Sequence, residues 1–348
     1  MNPFILAILL FSLGLGTTIT LTSSHWLLAW MGLEINTLAI IPIMAQHHHP
    51  RAVEATTKYF LTQAAAAAML LFASVTNAWI SGQWDISQMS HPLSTSIITM
   101  ALALKIGLAP VHAWLPEVLQ GLDLTTGLIL STWQKLAPFA LILQINPSNP
   151  TLLIILGMTS TLVGGWGGLN QTQLRKVLAY SSIAHLGWMV LVLQFSPSLT
   201  LMALLTYIIM TFSTFLVFKI NKATTINTLA TAWAKAPILT SLTPLLLLSL
   251  GGLPPLTGFM PKWFILQELT KQELGLTATL AALSALLSLY FYLRLSYAMA
   301  LTMSPNNLIG TTPWRLPNNQ LTLPTAISTS MALCLLPATP AIAALLTP

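Results

Sequence analysis

Gly251-Gly252-Leu253-Pro254-Pro255-Leu256-Thr257-Gly258-Phe259-Met260-Pro261 interrupts an apolar run that extends from 236 to 271. As one helix those 36 residues would measure about 54 Å at ~1.5 Å per residue, far beyond a hydrocarbon core of ~30 Å. Proline lacks the helical donor and clashes with the preceding turn, so the run reads as two half-helices around a break. Such a break survives in hydrocarbon only where protein or a wet cavity surrounds it. The same pattern occurs earlier, in the run 94–120, which contains Gly107, Pro110 and Pro116. Gly107-Leu108-Ala109-Pro110 aligns with Gly252-Leu253-Pro254-Pro255 at an offset of 145, which also carries Trp114 to Phe259 and Pro116 to Pro261.

The composition agrees with a membrane reading. Of 348 residues, 55% are hydrophobic and only 6% charged, with a mean hydropathy of +0.78. Soluble domains carry about 25% charge, so a soluble enzyme, a disordered tail and a nucleic-acid binder are all excluded. The net charge of +6 reflects scarce acids rather than a basic surface. A single cysteine, Cys334, leaves no intramolecular disulfide, Fe–S cluster or Cys-type zinc site.

Apolar runs between polar, Pro, Gly or Asn breaks fall at 3–21, 25–45, 55–80, 94–120, 124–145, 150–170, 173–195, 198–221, 236–271, 276–302 and 323–346. They are too long and continuous for barrel strands. The expected fold is an all-α polytopic membrane protein of about eleven transmembrane helices, two of them broken. An offset of 145 over five spans makes spans 6–10 a repeat of spans 1–5, and an odd number puts the copies in opposite orientation. This inverted five-helix repeat is the architecture of ion and solute carriers. The expected division of the single membrane domain is 1–147, 148–302, and 303–348 as a loop and final helix.

With eleven spans, Arg51, Lys58, Arg175, Lys176, Lys219, Lys222, Lys235 and Arg315 fall on the N-terminal side, against Lys271 alone on the other. Cytoplasm-equivalent loops are the ones enriched in Lys and Arg, so the N-terminus is expected on that side.

Four basic residues remain inside spans: Lys105, Lys135, Lys262 and Arg294, together with the acid Glu34. Each charge at helix centre costs ~2.5–3.5 kcal/mol on insertion scales. Glu34 and Lys135 sit at the midpoints of their runs, and Lys105 within two residues of its own. Such residues demand a hydrated or ion-paired interior. Glu34 and Lys105 are open to a structural pairing as well as a functional one, Lys262 to a position in a loop mouth, and Arg294 to snorkelling. Lysine suits proton work at this depth, because leaving water favours the neutral amine and a nearby carboxylate restores the charge. His112, after the first break, and His185, mid-span, are each open to proton relay or to an ordinary interhelical hydrogen bond. His47, His48 and His49 form a loop triplet, a geometry in which consecutive side chains rarely converge on one metal. Gly164-Gly165-Trp166-Gly167-Gly168 has the small-residue spacing that lets helices approach closely. No metal, catalytic or cofactor-binding constellation is expected on this chain.

Several stretches resemble a known family. Ser24-His25-Trp26, Gly32-Leu33-Glu34-Ile35-Asn36, Lys58-Tyr59-Phe60-Leu61-Thr62-Gln63, Trp133-Gln134-Lys135-Leu136-Ala137-Pro138, Gly168-Leu169-Asn170-Gln171-Thr172-Gln173-Leu174-Arg175-Lys176, Ala179-Tyr180-Ser181-Ser182 and Leu253-Pro254-Pro255-Leu256-Thr257-Gly258-Phe259 look like the chain 2 subunits of mitochondrial NADH:ubiquinone oxidoreductase, respiratory complex I. The resemblance covers essentially the whole chain.

That family belongs to the antiporter-like subunits of the membrane arm, and the resemblance carries expectations. Glu34 pairs with Lys105, Lys135 is the central lysine, Lys262 leads towards the exit, and His185 is a relay residue, with His112 beside the first break. The 145 offset pairs Lys262 with Glu117 rather than with Lys105, so the two halves are not functionally identical. The implied role is coupling NADH oxidation and quinone reduction elsewhere in the complex to proton translocation. NADH, FMN, Fe–S clusters and ubiquinone act in other subunits, and this chain holds no redox site. Expected partners are the other membrane-arm subunits and lipids such as cardiolipin, with no nucleic acid. Met1-Asn2-Pro3-Phe4 runs straight into the first span without an Arg-rich presequence, which fits synthesis inside the organelle and a multi-pass place in the mitochondrial inner membrane, N-terminus in the matrix. The rival functions are a stand-alone proton-coupled cation antiporter and a scaffold that pumps nothing.

Overall fold

The computed structural model describes residues 2–46, 49–89, 91–145, 150–234, 237–301 and 322–346. His47, His48, Lys235 and Arg315 lie outside the described residues. Among those described, regular structure is helical throughout, apart from the isolated bridges His25 to Asp85 and Gln173 to Thr225. The chain divides into two compact units, Met1–Leu156 and Gly157–Pro348.

The first unit holds α1 (Pro3–Thr22), α2 (Trp26–Met44), α3 (Pro50–Ser81), α4 (Pro92–Ile106), α5 (Trp114–Gly121), α6 (Leu124–Ser131) and α7 (Trp133–Gln144). Helix α8 (Pro150–Gly168) crosses the unit boundary. The second unit continues with α9 (Leu174–Val192), α10 (Pro197–Asn221), α11 (Ile226–Ala230), α12 (Pro237–Gly251), α13 (Phe259–Lys271), α14 (Gly275–Ala300), α15 (Thr322–Cys334) and α16 (Thr339–Leu346).

Seven helical segments among the described residues are long and apolar enough to cross a membrane, and an eighth if Leu323–Cys334 and Leu336–Ile342, bent by 67°, count as one broken span. Composition led to eleven. The other three expected spans take different forms: 94–120 and 236–271 are broken, and α9 is a 19-residue helix with 16 residues buried. A helix buried nearly all round needs no apolar outer face, which is why α9 can carry Ser181, Ser182 and His185. By contrast α1 and α3 turn Phe4, Phe11 and Trp79 outward, the last 87% exposed.

Helix starts follow local chemistry. Proline, whose missing donor costs nothing in the first turn, opens α1, α3, α4 and α10. Side chains of Asn2, His25 and His49 accept from the exposed first-turn amides of Phe4, Leu27 and Arg51. Buried hydroxyls inside helices return to their own backbone, as Thr20 does to Thr17 O at 2.8 Å and Ser182 to Ala179 O at 2.7 Å. Such a hydroxyl is satisfied within its own helix.

The two breaks share backbone detail at the same offset of 145. Gly107 and Gly252 close their half-helices with φ of +87° and +79°, a region glycine enters without steric cost. In both, the next amide turns back onto the helix: Leu108 N donates to Ala103 O at 2.9 Å and Leu253 N to Leu248 O at 3.3 Å. Both continue through a cis prolyl bond, Ala109–Pro110 and Pro254–Pro255. Helices α5 and α13 then begin at Trp114 and Phe259.

In the second unit the Gly-Gly-Trp-Gly-Gly stretch works by close approach. A Cβ on Gly164 would stand 2.6 Å from Ala184 N of α9, and one on Gly165 2.9 Å from Leu287 Cβ of α14. Trp166, between them, is exposed. Lipid tails are as apolar as leucine, so helix association in hydrocarbon relies on such close packing.

Candidate functional site

Helices α2, α3, α4 and α7 of the first unit surround a polar interior. Lys105 is the penultimate residue of α4, directly before the Gly107 turn, and Lys135 is the third residue of α7. Both are buried, at 7% and 3% exposure. Glu34, at the middle of α2, places Oε1 4.0 Å from Lys105 Nζ. That is close enough for strong attraction but too long for a hydrogen bond. Thr37, one turn on, donates to Glu34 Oε2 at 3.2 Å and to its carbonyl oxygen at 2.9 Å, which fixes the carboxylate on the α2 surface.

A cavity of about 20 Å³ lies beside the pair, lined on its polar side by Asn36, Tyr59, Gln63, Lys105, Gln134 and Lys135. It therefore brings the two lysines to one space. In the sequence, Asn36, Tyr59, Gln63 and Gln134 are marked only as parts of the family-like stretches. Their signal was depth: amides in apolar runs at the level of the charged residues. The 124–145 run also holds an interruption that composition did not disclose, at Thr132 between α6 and α7. Pro138 cannot donate to the carbonyl of Gln134 four residues earlier, and the Gln134 side chain reaches across to donate to Asn36 O at 3.2 Å. Lys135 thus lies in the first turn of a helical segment tied to α2.

His112 lies half-buried in the first break, where its carbonyl accepts from Leu115 N at 3.0 Å. It does not line the cavity. Lys262 and His185 belong to the second unit. Lys262 sits in the first turn of α13, and its Nζ donates to Gly251 O at 2.8 Å, the last carbonyl of α12. A cation there satisfies a free carbonyl and meets the negative end of the helix dipole. The same lysine lines an open, mostly apolar groove of about 460 Å³ with Trp188, Phe259, Trp263 and Leu286. His185, 9% exposed on α9, faces Tyr207 of α10 with ring centroids 5.6 Å apart.

Glu117, Lys58, Glu54 and Arg294 line neither the cavity nor the groove. Glu117, the offset counterpart of Lys262, pairs with Lys58 at 2.8 Å, and Lys58 also pairs with Glu54 at 2.8 Å. All three are more than 40% exposed. Arg294 donates to Leu169 O at 2.8 Å, at the loop before α9. Among the described residues no three His, Cys, Asp or Glu side chains are grouped to hold a metal ion.

Comparison with known proteins gives this arrangement a lineage. Residues 23–288 match the family described as NADH:quinone oxidoreductase/Mrp antiporter, transmembrane, and residues 289–343 match the NADH dehydrogenase subunit 2 C-terminus. The NADH-ubiquinone oxidoreductase chain 2 of Tetraodon nigroviridis is 76% identical over 342 residues, covering 98% of each chain. A chain of respiratory complex I from Thermus thermophilus, solved with bound aureothin, superposes with a TM-score of 0.85 at 27% identity, over 98% of this chain and 80% of that one. A chain of the Mrp complex from Dietzia superposes at 0.83 with 16% identity over 97% and 76%, a likeness of fold alone. With its whole length matched at high identity, the chain belongs to the NADH-ubiquinone oxidoreductase chain 2 family of antiporter-like membrane subunits.

Proposed function

We propose that this subunit moves protons through its interior while NADH oxidation and quinone reduction proceed elsewhere in the complex. The observation that carries the reading is that Lys105 and Lys135 line one small cavity while Glu34 stands 4.0 Å from Lys105. FMN, Fe–S clusters, NADH and ubiquinone act in partner subunits, and this chain contributes no redox group. Its neighbours are other membrane-arm subunits and lipids of the mitochondrial inner membrane, with the N-terminus in the matrix. The chain itself repeats as two inverted five-helix halves, 1–147 and 148–302, followed by the loop and final helix of 303–348.

The separation of Glu34 and Lys105 sets the chemistry. Two unit charges 4 Å apart attract by about 4 kcal/mol at an effective dielectric of 20, and doubling the distance halves that. A change of about 2 kcal/mol shifts a proton equilibrium more than tenfold. Approach of the carboxylate holds the proton on Lys105, and withdrawal releases it towards Lys135. Lys262, with His185 in the same unit, takes the later steps, and His112 serves the first break.

The test is the number of protons moved per quinone reduced by the intact complex in liposomes. Lys135→Met should lower that ratio while electron transfer with an uncoupler continues. An unchanged ratio would overturn the reading and favour a scaffold. Cation exchange by the purified chain without partners would favour a stand-alone antiporter.

A further inference from the structure

The second unit holds a group of basic residues far from its acids. Between Gly157 and Pro348 the acids are Glu268 and Glu273 alone, and both precede the start of α14 at Gly275. Arg294 stands about 28 Å further along that unbroken helix, at ~1.5 Å per residue. This is nearly the depth of a hydrocarbon core, ~30 Å. Four more basic residues are tied to the Arg294 end. Arg294 Nη1 donates to Leu169 O at 2.8 Å, in the loop that leads into Arg175 and Lys176. Leu174 N donates to Thr224 O at 3.1 Å and Ile226 N to Thr172 O at 3.2 Å. These bonds join the loop to the end of α10, where Lys219 and Lys222 stand. Lys219, Lys222 and Arg294 are exposed, and Arg175 and Lys176 half-buried.

The same end has the character of a headgroup boundary. Tyr290 and Tyr297, 59% and 56% exposed, flank Arg294 by one turn on the same face of α14. Tyrosine gathers where hydrocarbon meets water. Towards Gly275, Leu286 and Leu283, both 60% exposed, continue that face as an apolar stripe. Helix α9 opens after Gln173, whose side chain makes no cap, and its first turn contains Arg175 and Lys176 but no acid. Cations there oppose the positive end of the helix dipole, and an anion beside them offsets both.

We propose that Arg175, Lys176, Lys219, Lys222 and Arg294 bind the phosphate of one anionic phospholipid whose acyl chains follow the exposed face of α14. The proposal rests on the reading that inner-membrane lipids neighbour this chain, and not on the proton path. Basic clusters at the matrix boundary attract acidic lipids. A phosphate carrying acyl chains matches both the cations and the apolar stripe beside them, whereas an acidic protein loop matches only the cations.

The test is photolabelling of the intact complex in neutral detergent with phosphatidylglycerol that carries a photoreactive headgroup. Label should reach residues 169–176 or 219–226 of this chain. Unlabelled phosphatidylglycerol should displace it; equal displacement by phosphatidylcholine overturns the proposal. Equal displacement by inorganic phosphate overturns the lipid and leaves a free-anion site. Lys219→Gln combined with Lys222→Asn, where asparagine tolerates the φ of +49°, should raise the concentration for half-maximal labelling about 30-fold. That factor corresponds to ~1 kcal/mol for each charge removed, and unchanged labelling overturns the site. Label confined to other segments of the chain also overturns it while leaving lipids as neighbours, and no label anywhere on the chain overturns that broader reading. A density map with an acidic segment of a partner subunit seated on these residues overturns the proposal in favour of a protein occupant. Should the double variant fail to assemble, displacement in the native complex decides.

Discussion

Glu34 Oε1 and Lys105 Nζ stand 4.0 Å apart with the lysine side chain 3% and the carboxylate side chain 25% exposed. The pair is not locked by a hydrogen bond, and its lysine is shielded from solvent. Removing one partner of a buried pair leaves an uncompensated charge, at a cost of about 3–5 kcal/mol. Retaining both at a loose distance preserves an equilibrium that small helix movements can tip.

The second break makes a separate prediction. Gly252 has a φ of +79°, and a Cβ there would stand 2.9 Å from Lys262 Cδ and 3.0 Å from Nζ. Gly252→Ala therefore costs ~1–2 kcal/mol in backbone strain and displaces Lys262 from Gly251 O. A lower melting temperature of the complex and weaker pumping are expected. Gly275→Ala, where nothing lies within 4 Å of the new carbon, is the control and should match the native protein in both assays.

Helix approach gives another. Gly164→Val places branched carbon against the Ala184 backbone, one residue from His185. Overpacking of this kind costs about 1–3 kcal/mol or more. Native gels should show less assembled complex, and the assembled fraction should unfold at a lower temperature. Normal assembly would mean α8 and α9 can separate freely.

Exposed charges should behave differently. Lys58→Ala breaks contacts to Glu54 and Glu117, all in exposed positions. Exposed pairs contribute little and are screened by salt. Assembly and the proton ratio should stay at native values, in contrast with Lys135→Met.

The spans and both breaks were legible because hydrocarbon length and proline chemistry constrain sequence strongly. Glu34, Lys105 and Lys135 stood out because charge at that depth is expensive. Asn36, Gln63 and Gln134 did not: an uncharged amide is cheaper to bury, and its partners depend on helix rotation. The Thr132 interruption was hidden because neither proline nor glycine stands at that position. The 67° bend of the last helix pair followed the same course, although Pro337 and Pro340 were present in the run. The grouping of Glu34, Lys105 and Lys135 joins residues on three different helices, which depends on packing and not on spacing.

The most direct test of the central claim is the proton-to-quinone ratio of Glu34→Gln, Lys105→Met and the two combined. Residues that act as one unit are non-additive. The account predicts that each single variant lowers the ratio and that the double variant loses no more than the worse single. Native ratios in both single variants, or losses that simply add in the double, would contradict it.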